Sequence, residues 1–428
     1  MQIVLQSRRY LLNGYLCPLA ILRRRTLNLA LRSWYYSIRV SAESRNAQRV
    51  GTLSQKSEQE VVKKKADLAP FLYESCEELC KKFQELKSPR DVAQLLQVPY
   101  EYLVYYIYRV PHDSRYIEFC IPKKSGGYRT IHSPQGSLGI VQRKLSQVLY
   151  AVYRPRPSVH GFAASRSIIT NAKAHIKKKF ILNLDIKDFF GSINFGRVRG
   201  MFVANPYKLD KKVATVLAQI CCFDNKLPQG APTSPVVSNL ICTKMDSELQ
   251  RFSKQYGLLY TRYADDITLS SNRNELPTSL VSSYEKGIPY VVLGDELRST
   301  IEKNGFQINE AKVRLAYKTQ RQEVTGLIVN QTVNVSRKYV RNIDGALHAW
   351  EKYGLEAATE TYRAKYAKTV TLPGKDLALF LDSLRGKIEF VGSARGKDDH
   401  LYQKLLRKFN DLRKKEACNQ KTMETEHL

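Results

Sequence analysis

The chain has 428 residues and is 43% hydrophobic, enough for a large core and for two or three domains or subdomains. Lys and Arg total 69 against 40 Asp and Glu, a formal charge of +29 that repels itself in a compact fold unless a polyanion neutralises it, so nucleic acid is the first candidate partner. No stretch reaches the ~18–20 apolar residues of a membrane span, so no membrane partner is expected; eight scattered Cys without a C-x-x-C pair argue against a structural zinc site or a disulfide framework and suit reduced thiols in a cytoplasm.

Residues 1–65 are strongly basic. Their apolar run Leu11–Leu22, flanked by arginines, is broken by Asn13, Gly14 and Pro18 and is read as no export signal. Ser41 to Lys65 lacks apolar periodicity and reads as a linker or arm. From Leu68 the spacing of Leu68, Phe71, Leu72, Leu79, Phe83 and Leu86 predicts a helix. A second helix starts at Ser88-Pro89, with Ser88 as N-cap. Tyr116–Pro122 and Tyr128–His132 read as strands joined by the turn Lys123-Lys124-Ser125-Gly126-Gly127. Ile140–Val152 is a predicted helix and Phe180–Ile186 a buried strand carrying Asp185. Ala231–Phe252 is a predicted long helix. Leu258–Tyr263 and Ile267–Ser270 are strands flanking the turn Ala264-Asp265-Asp266, and Tyr339 to Lys415 is mostly helical and basic.

The carboxylates carry the chemistry. Adjacent acids at a hairpin tip repel each other, and no Lys or Arg in that turn relieves them; a divalent cation would. Asp185, Asp265 and Asp266 are therefore candidate metal ligands, and two ions ~3.5–4 Å apart would serve phosphoryl transfer. An ordinary Asp-containing turn is the alternative.

The motifs decide between them. Tyr263-Ala264-Asp265-Asp266 resembles the Y-A-D-D box of reverse transcriptases; Leu184–Ile193 (LDIKDFFGSI) resembles their first palm motif and Leu227–Asn239 (LPQGAPTSPVVSN) their second, in family order. The resemblance runs from about Leu95 to Phe409. It implies an α/β (α+β) fold, a right-hand polymerase with fingers, palm and helical thumb. The expected organisation is a basic N-terminal extension or linker over 1–65, N-terminal helices and fingers over 66–180, a palm over 181–330 with an insertion near 272–300, and a thumb with a basic tail over 331–428. The resemblance further implies Mg2+ (two ions, with Mn2+ as an alternative) on Asp185, Asp265 and Asp266. Phe190 matches the residue that packs on the incoming sugar, with Phe189 as the core member of the pair. Gln229 and Gly230 would approach nucleotide and template. Lys123, Lys124 and Arg129 would reach the triphosphate, and Lys312 matches a lysine that protonates pyrophosphate.

Two narrower matches follow. Asn171-Ala172-Lys173-Ala174-His175 resembles the N-A-x-x-H signature of retron reverse transcriptases and Val324-Thr325-Gly326 their V-T-G triplet; Asn171, His175, Val324, Thr325 and Gly326 would then serve RNA recognition. From the residues alone, Asn171 and His175 would brace a helix, and Val324–Val329 would form a strand with a Gly bulge. The resemblance implies a structured noncoding RNA as template and primer, deoxynucleotides as substrates, a branched RNA–DNA product primed from a guanosine 2′-OH, and antiphage defence, usually with a separate effector protein. Gly386–Gly396 (GKIEFVGSARG) resembles the family's thumb segment. The competing readings are another bacterial reverse transcriptase, of group II intron or non-retron defence type, a non-catalytic RNA-binding protein of polymerase shape, and a metal nuclease.

Overall fold

The computed structural model describes residues 69–123, 126–284, 291–366 and 376–426. The basic extension over 1–65 and Lys124 lie outside the described residues. In chain order come helices α1 (Cys76–Gln84), α2 (Pro89–Leu95) and α3 (Tyr100–Val104), a π-helical turn Tyr105–Arg109, strands β1 (Tyr116–Pro122) and β2 (Tyr128–Pro134), α4 (Gly136–Val152), α5 (Ile168–Ala174) and β3 (Phe180–Asp185). Then follow α6 (Phe195–Val203), α7 (Lys211–Cys221), α8 (Ser234–Tyr256), β4 (Leu259–Tyr263), β5 (Asp266–Ser271), β6 (Val281–Tyr284), β7 (Val291–Leu293), α9 (Asp295–Lys303), β8 (Arg314–Tyr317), β9 (Glu323–Val324) and β10 (Leu327–Ile328). Helices α10 (Arg337–Tyr366), α11 (Asp376–Arg395) and α12 (His400–Glu426) close the described chain, a mixed α/β fold in which no helix is long and apolar enough to cross a membrane.

The chain divides into two compact units. The first comprises Met1–Arg156, Phe162–Ser165 and Asp188–Lys244. Its start differs from the predicted helix. Residues 69–75 are irregular, and α1 begins only after Ser75, whose hydroxyl and Glu78 form a reciprocal capping box. The irregular stretch is held instead by Gln147 of α4, whose side-chain amide bonds both the N–H and the C=O of Leu72. Ser88 caps α2 as predicted, with Asp91 completing its box and Pro89 at the first helical position. In α4 the apolar face Leu138, Val141, Leu145, Val148 and Leu149 is buried. Strands β1 and β2 pair antiparallel, from Tyr116 opposite Pro134 to Pro122 opposite Tyr128.

The second unit comprises Pro157–Gly161, Arg166–Lys187 and Met245–Leu428. Its centre is a four-stranded antiparallel sheet of order β4–β5–β3–β8. Strand β3 is buried at Phe180, Ile181, Leu182 and Leu184, which explains its unbroken apolar run. Residues near 272–300 are ordered over their described part as the β6–β7 hairpin and α9. The three C-terminal helices pack through Ile343, Leu347, Trp350, Phe380, Ile388 and Phe409 into one core with Val324 and Leu327 of the β9–β10 hairpin and Ala172 of α5. Gly354, at φ 83° and ψ 168°, interrupts α10, a conformation that costs a glycine little.

Candidate active site

Strand pairing assembles the carboxylates within the second unit. Asp185, the last residue of β3, stands directly opposite Asp266, the first residue of β5. Residues so paired project to the same face with Cβ atoms ~4.5–5.5 Å apart. Asp266 is thus a strand residue rather than part of the turn, which is formed by Ala264 and Asp265; Ala264 takes φ 57°. The Ile186 amide donates to the Asp265 carbonyl at 3.1 Å and ties the two chain segments together just beyond the paired acids.

Clustering these charges shifts a titration. The Asp266 carboxyl is pushed up to about 7, by burial first and then by the charges of Asp265 and Asp185, with Lys312 opposing. Relief comes from outside the turn. Lys312 Nζ lies 2.9 and 3.0 Å from the two carboxylate oxygens of Asp185, and the Asn309 side-chain amide donates to one of them at 3.3 Å. The donor chemistry suits a hard divalent cation, which takes carboxylate oxygens and removes the repulsion felt by Asp266. Among the described residues no group of three or more His, Cys, Asp or Glu forms a ready-made metal cluster, and the Lys312 ammonium occupies both oxygens of Asp185.

A second layer of residues fixes the turn, and sequence reading missed it. Arg262, the next-to-last residue of β4, is fully buried. Its Nε and Nη2 donate to the two oxygens of buried Asp246 on α8 at 2.7 and 2.8 Å, and its Nη1 donates to the Ala264 carbonyl at 3.0 Å. Tyr260 donates to the same Asp246 at 2.6 Å. The guanidinium therefore links a helix to the residue preceding the acidic pair, with its charge paired and its donors aimed. Alongside, the Arg262 backbone exchanges hydrogen bonds with Ser158 and His160. Gly161 then comes so close that a Cβ there would lie 2.4 Å from the Ala264 nitrogen; only glycine fits. The available signal was an Arg two residues before Ala264 in a strand otherwise destined for burial, which demands an acidic partner.

The remaining nucleotide-site candidates other than Lys312 lie in the first unit. Lys123 and Arg129 are exposed at the β1–β2 hairpin, whose turn is closed by the Lys123 amide on the Gly127 carbonyl at 2.9 Å. Phe189 is buried at 3% exposure while Phe190 is half-buried, its ring 6.4 Å from that of Phe162. Gln229 is held by its backbone: its carbonyl accepts from the His132 amide at 2.7 Å. Gly230 has φ 114°, and a Cβ on it would lie 2.7 Å from Ile131 and 3.0 Å from the His132 carbonyl, so the segment can press against β2 only with glycine there.

The two narrower motifs meet in the second unit. Val324 ends β9 and pairs with Leu327, and Thr325-Gly326 form a two-residue hairpin turn to β10, with Thr325 at φ 47° and Gly326 at φ 79°, rather than a bulged strand. Thr325 Oγ1 donates to the carbonyl of Ile168 at the start of α5, the helix that carries Asn171. Asn171 and His175 are both fully buried and offer RNA no direct contact in this structure; the Asn171 side-chain amide has no hydrogen-bond partner among the described residues, and only His175 bonds to neighbouring strands. His175 Nδ1 pairs with Ser270 of β5 at 2.6 Å and Nε2 with Thr261 of β4 at 2.7 Å. Burial, with the nearby Lys178 charge, lowers this imidazole to about 3, so it is neutral. Of the five residues, Gly326 is exposed and Thr325 half-exposed at the hairpin tip.

Comparison with known proteins places the chain in a family. Residues 121–330 match the family model described as reverse transcriptase (RNA-dependent DNA polymerase). The chain is 35% identical over 266 residues to the retron Ec86 reverse transcriptase of Escherichia coli, covering 61% of this chain and 78% of that protein. It is 32% identical over 285 residues to the retron Mx65 reverse transcriptase of Myxococcus xanthus and 33% identical over 294 residues to the retron Mx162 enzyme of the same organism. The matches cover 61% and 63% of this chain, and the chain spans 62% and 60% of those two relatives' lengths. Among solved structures, a telomerase of Candida albicans aligns over 69% of this chain and 63% of its own at 12% identity and a TM-score of 0.38, a likeness too low to rest anything on. The three relatives named are retron reverse transcriptases, and the chain belongs to the reverse transcriptase family.

Proposed function

We propose that the chain is an RNA-directed DNA polymerase of retron type, with Asp185, Asp265 and Asp266 as its catalytic carboxylates. The observation that carries the proposal is the register of β3 and β5, which sets Asp185 opposite Asp266 with Asp265 in the adjoining turn. In this reading the sheet β4–β5–β3–β8 is the palm, the β1–β2 hairpin belongs to the fingers and α10–α12 form the thumb. The three carboxylates would hold Mg2+, with Mn2+ as a substitute, and the bound cations would supply positive charge to the primer hydroxyl and the leaving pyrophosphate. Arg262 and Gly161 keep the acidic turn in place. Lys123, Lys124 and Arg129 bind the triphosphate, Phe190 packs on the deoxyribose where a 2′-OH would clash, and Gln229 and Gly230 approach the nucleotide and template. Lys312 offers a proton from Nζ to the departing pyrophosphate.

The proposed template is a structured noncoding RNA, copied into branched single-stranded DNA from a guanosine 2′-OH in the cytoplasm, in antiphage defence with a separate effector. Buried His175 anchors the end of the helix that carries Asn171 and against which the Thr325-Gly326 tip is fixed, and the tip reads the RNA. The test is extraction of nucleic acid from cells expressing the protein with its flanking DNA, run on a denaturing gel with and without RNase and debranching enzyme. A discrete DNA band that shifts after either treatment is expected, and it should vanish with Asp265→Asn/Asp266→Asn, a loss of at least about a thousandfold. Unbranched DNA would overturn the retron assignment; undiminished synthesis by the double variant would overturn the carboxylate assignment.

A further inference from the structure

The first unit contains a basic cavity that shares no residue with the candidate active site. It measures about 340 Å³ and is lined by Tyr108, Arg199, Lys211, Lys212 and Thr215 together with Pro89 and Val216. Three cations meet there from two helices, Arg199 from α6 and both lysines from the first turn of α7. Among the described residues none of the three has a carboxylate partner. The nearest acid in sequence, Asp210, turns its carboxylate to the Lys212 backbone amide at 2.7 Å as the helix cap. An anion entering the cavity would meet all three cationic groups.

The cavity is also organised in advance. Arg199 Nε donates to Thr215 Oγ1 at 2.8 Å, and that hydroxyl donates to the Lys211 carbonyl at 2.7 Å, so the guanidinium is aimed before any ligand arrives. Tyr108 projects from the π-helical turn and is 57% exposed, yet its hydroxyl is tied to Gln219 of α7 at 2.9 Å. A fixed, open aromatic ring beside three cations that lack carboxylate partners among the described residues is the arrangement that holds single-stranded nucleic acid, with phosphate on the charges and a base on the ring. The volume lies at the small end of ligand cavities, a size for one nucleotide unit rather than a duplex.

We propose that this cavity is a second RNA site, gripping one nucleotide of an unpaired RNA segment through its phosphate on Arg199, Lys211 and Lys212 and its base on Tyr108. The proposal deepens the reading of the chain as an RNA-copying enzyme and rests on it only for the identity of the polyanion.

The test is equilibrium binding of the full-length protein to a short single-stranded RNA of mixed sequence over a salt series, which requires no DNA synthesis and so separates this inference from the polymerase reading. Lys211→Gln/Lys212→Gln should lower the slope of log affinity against log salt by about 0.7 for each phosphate contact removed. Tyr108→Leu should weaken binding about tenfold with the slope unchanged, while Tyr108→Phe, which keeps the ring, should bind nearly as wild type. All three variants alter exposed side chains, and an unchanged thermal midpoint verifies the fold. An unaltered slope in the double-lysine variant overturns the proposal. So does inorganic tripolyphosphate binding wild type but not that variant while both bind RNA alike, which would make the ligand a free polyphosphate.

Discussion

The β4–β5 hairpin presents its acidic residues from a buried, cross-braced base, whereas the β1–β2 hairpin presents Lys123 and Arg129 from strands open to solvent. In the first, β5 is buried at every position after Asp266, Arg262 beneath the turn is inaccessible, and Gly161 touches its backbone. In the second, Tyr128 is 71% exposed, and a Cβ on Gly126 or Gly127 would meet nothing within 4 Å. The difference suits the proposed tasks. Charges that stabilise a transition state work best when their positions are fixed beforehand. Cations that collect a flexible triphosphate lose little by being free to move with it.

The largest effect should come from breaking the brace. Arg262→Met leaves Asp246 buried without its partner and should destabilise the protein by about 3–5 kcal/mol. The double variant Asp246→Leu/Arg262→Met removes both charges and should recover most of that stability. Its kcat should nevertheless stay well below wild type with KM for deoxynucleotide little changed, because nothing then holds the Ala264 carbonyl. Denaturant melts and steady-state kinetics on the two variants decide this; full kcat in the double variant would make the ion pair purely structural.

Much of this arrangement was legible in the sequence. The alternation of Tyr116–Pro122, the Ser88-Pro89 cap and the apolar run ending at Asp185 predict elements that the structure contains. The carboxylates stood out because the sequence sets two adjacent acids at a hairpin tip with no Lys or Arg next to them. The brace did not, because Asp246 and Arg262 meet through helix and sheet packing that no local period encodes. Nor did the start of α1, where Ser75 and the long-range grip of Gln147 on Leu72 outweigh apolar spacing. The V-T-G segment read as a bulged strand because a β-branched residue at positive φ is unexpected; Thr325 accepts that conformation while bonded to Ile168.

A smaller effect should appear in acid. His175 joins β4 to β5 and is lowered from 6.5 to about 3, so the folded state binds fewer protons than the unfolded state between those values. Its contribution is complete above pH 6.5 and is lost as pH falls toward 3. His160, lowered to about 4 by burial and Arg166, acts in the same direction. Between pH 6.5 and 5 the wild type should therefore lose stability, and His175→Gln, though less stable at neutral pH, should show a flatter profile. Parallel profiles would mean that His175 is not the group responsible.

Adding one methyl group to each hairpin's glycine contact gives the finest contrast. At Gly161 the new carbon would lie 2.4 Å from the Ala264 nitrogen and 2.9 Å from the Tyr263 carbonyl carbon, both backbone, so the acidic turn itself must shift. Gly161→Ala should cost about 1–3 kcal/mol and lower kcat. At Gly126 there is open space, and the only penalty is an L-residue at φ 89°, about 1 kcal/mol. Gly126→Ala should therefore leave kcat intact and show itself, if at all, as a modest rise in KM for deoxynucleotide through Lys123 and Arg129. Thermal melts alongside the kinetics check both halves. Equal kcat losses at the two glycines would erase the distinction between a turn that must be fixed and a hairpin that need not be.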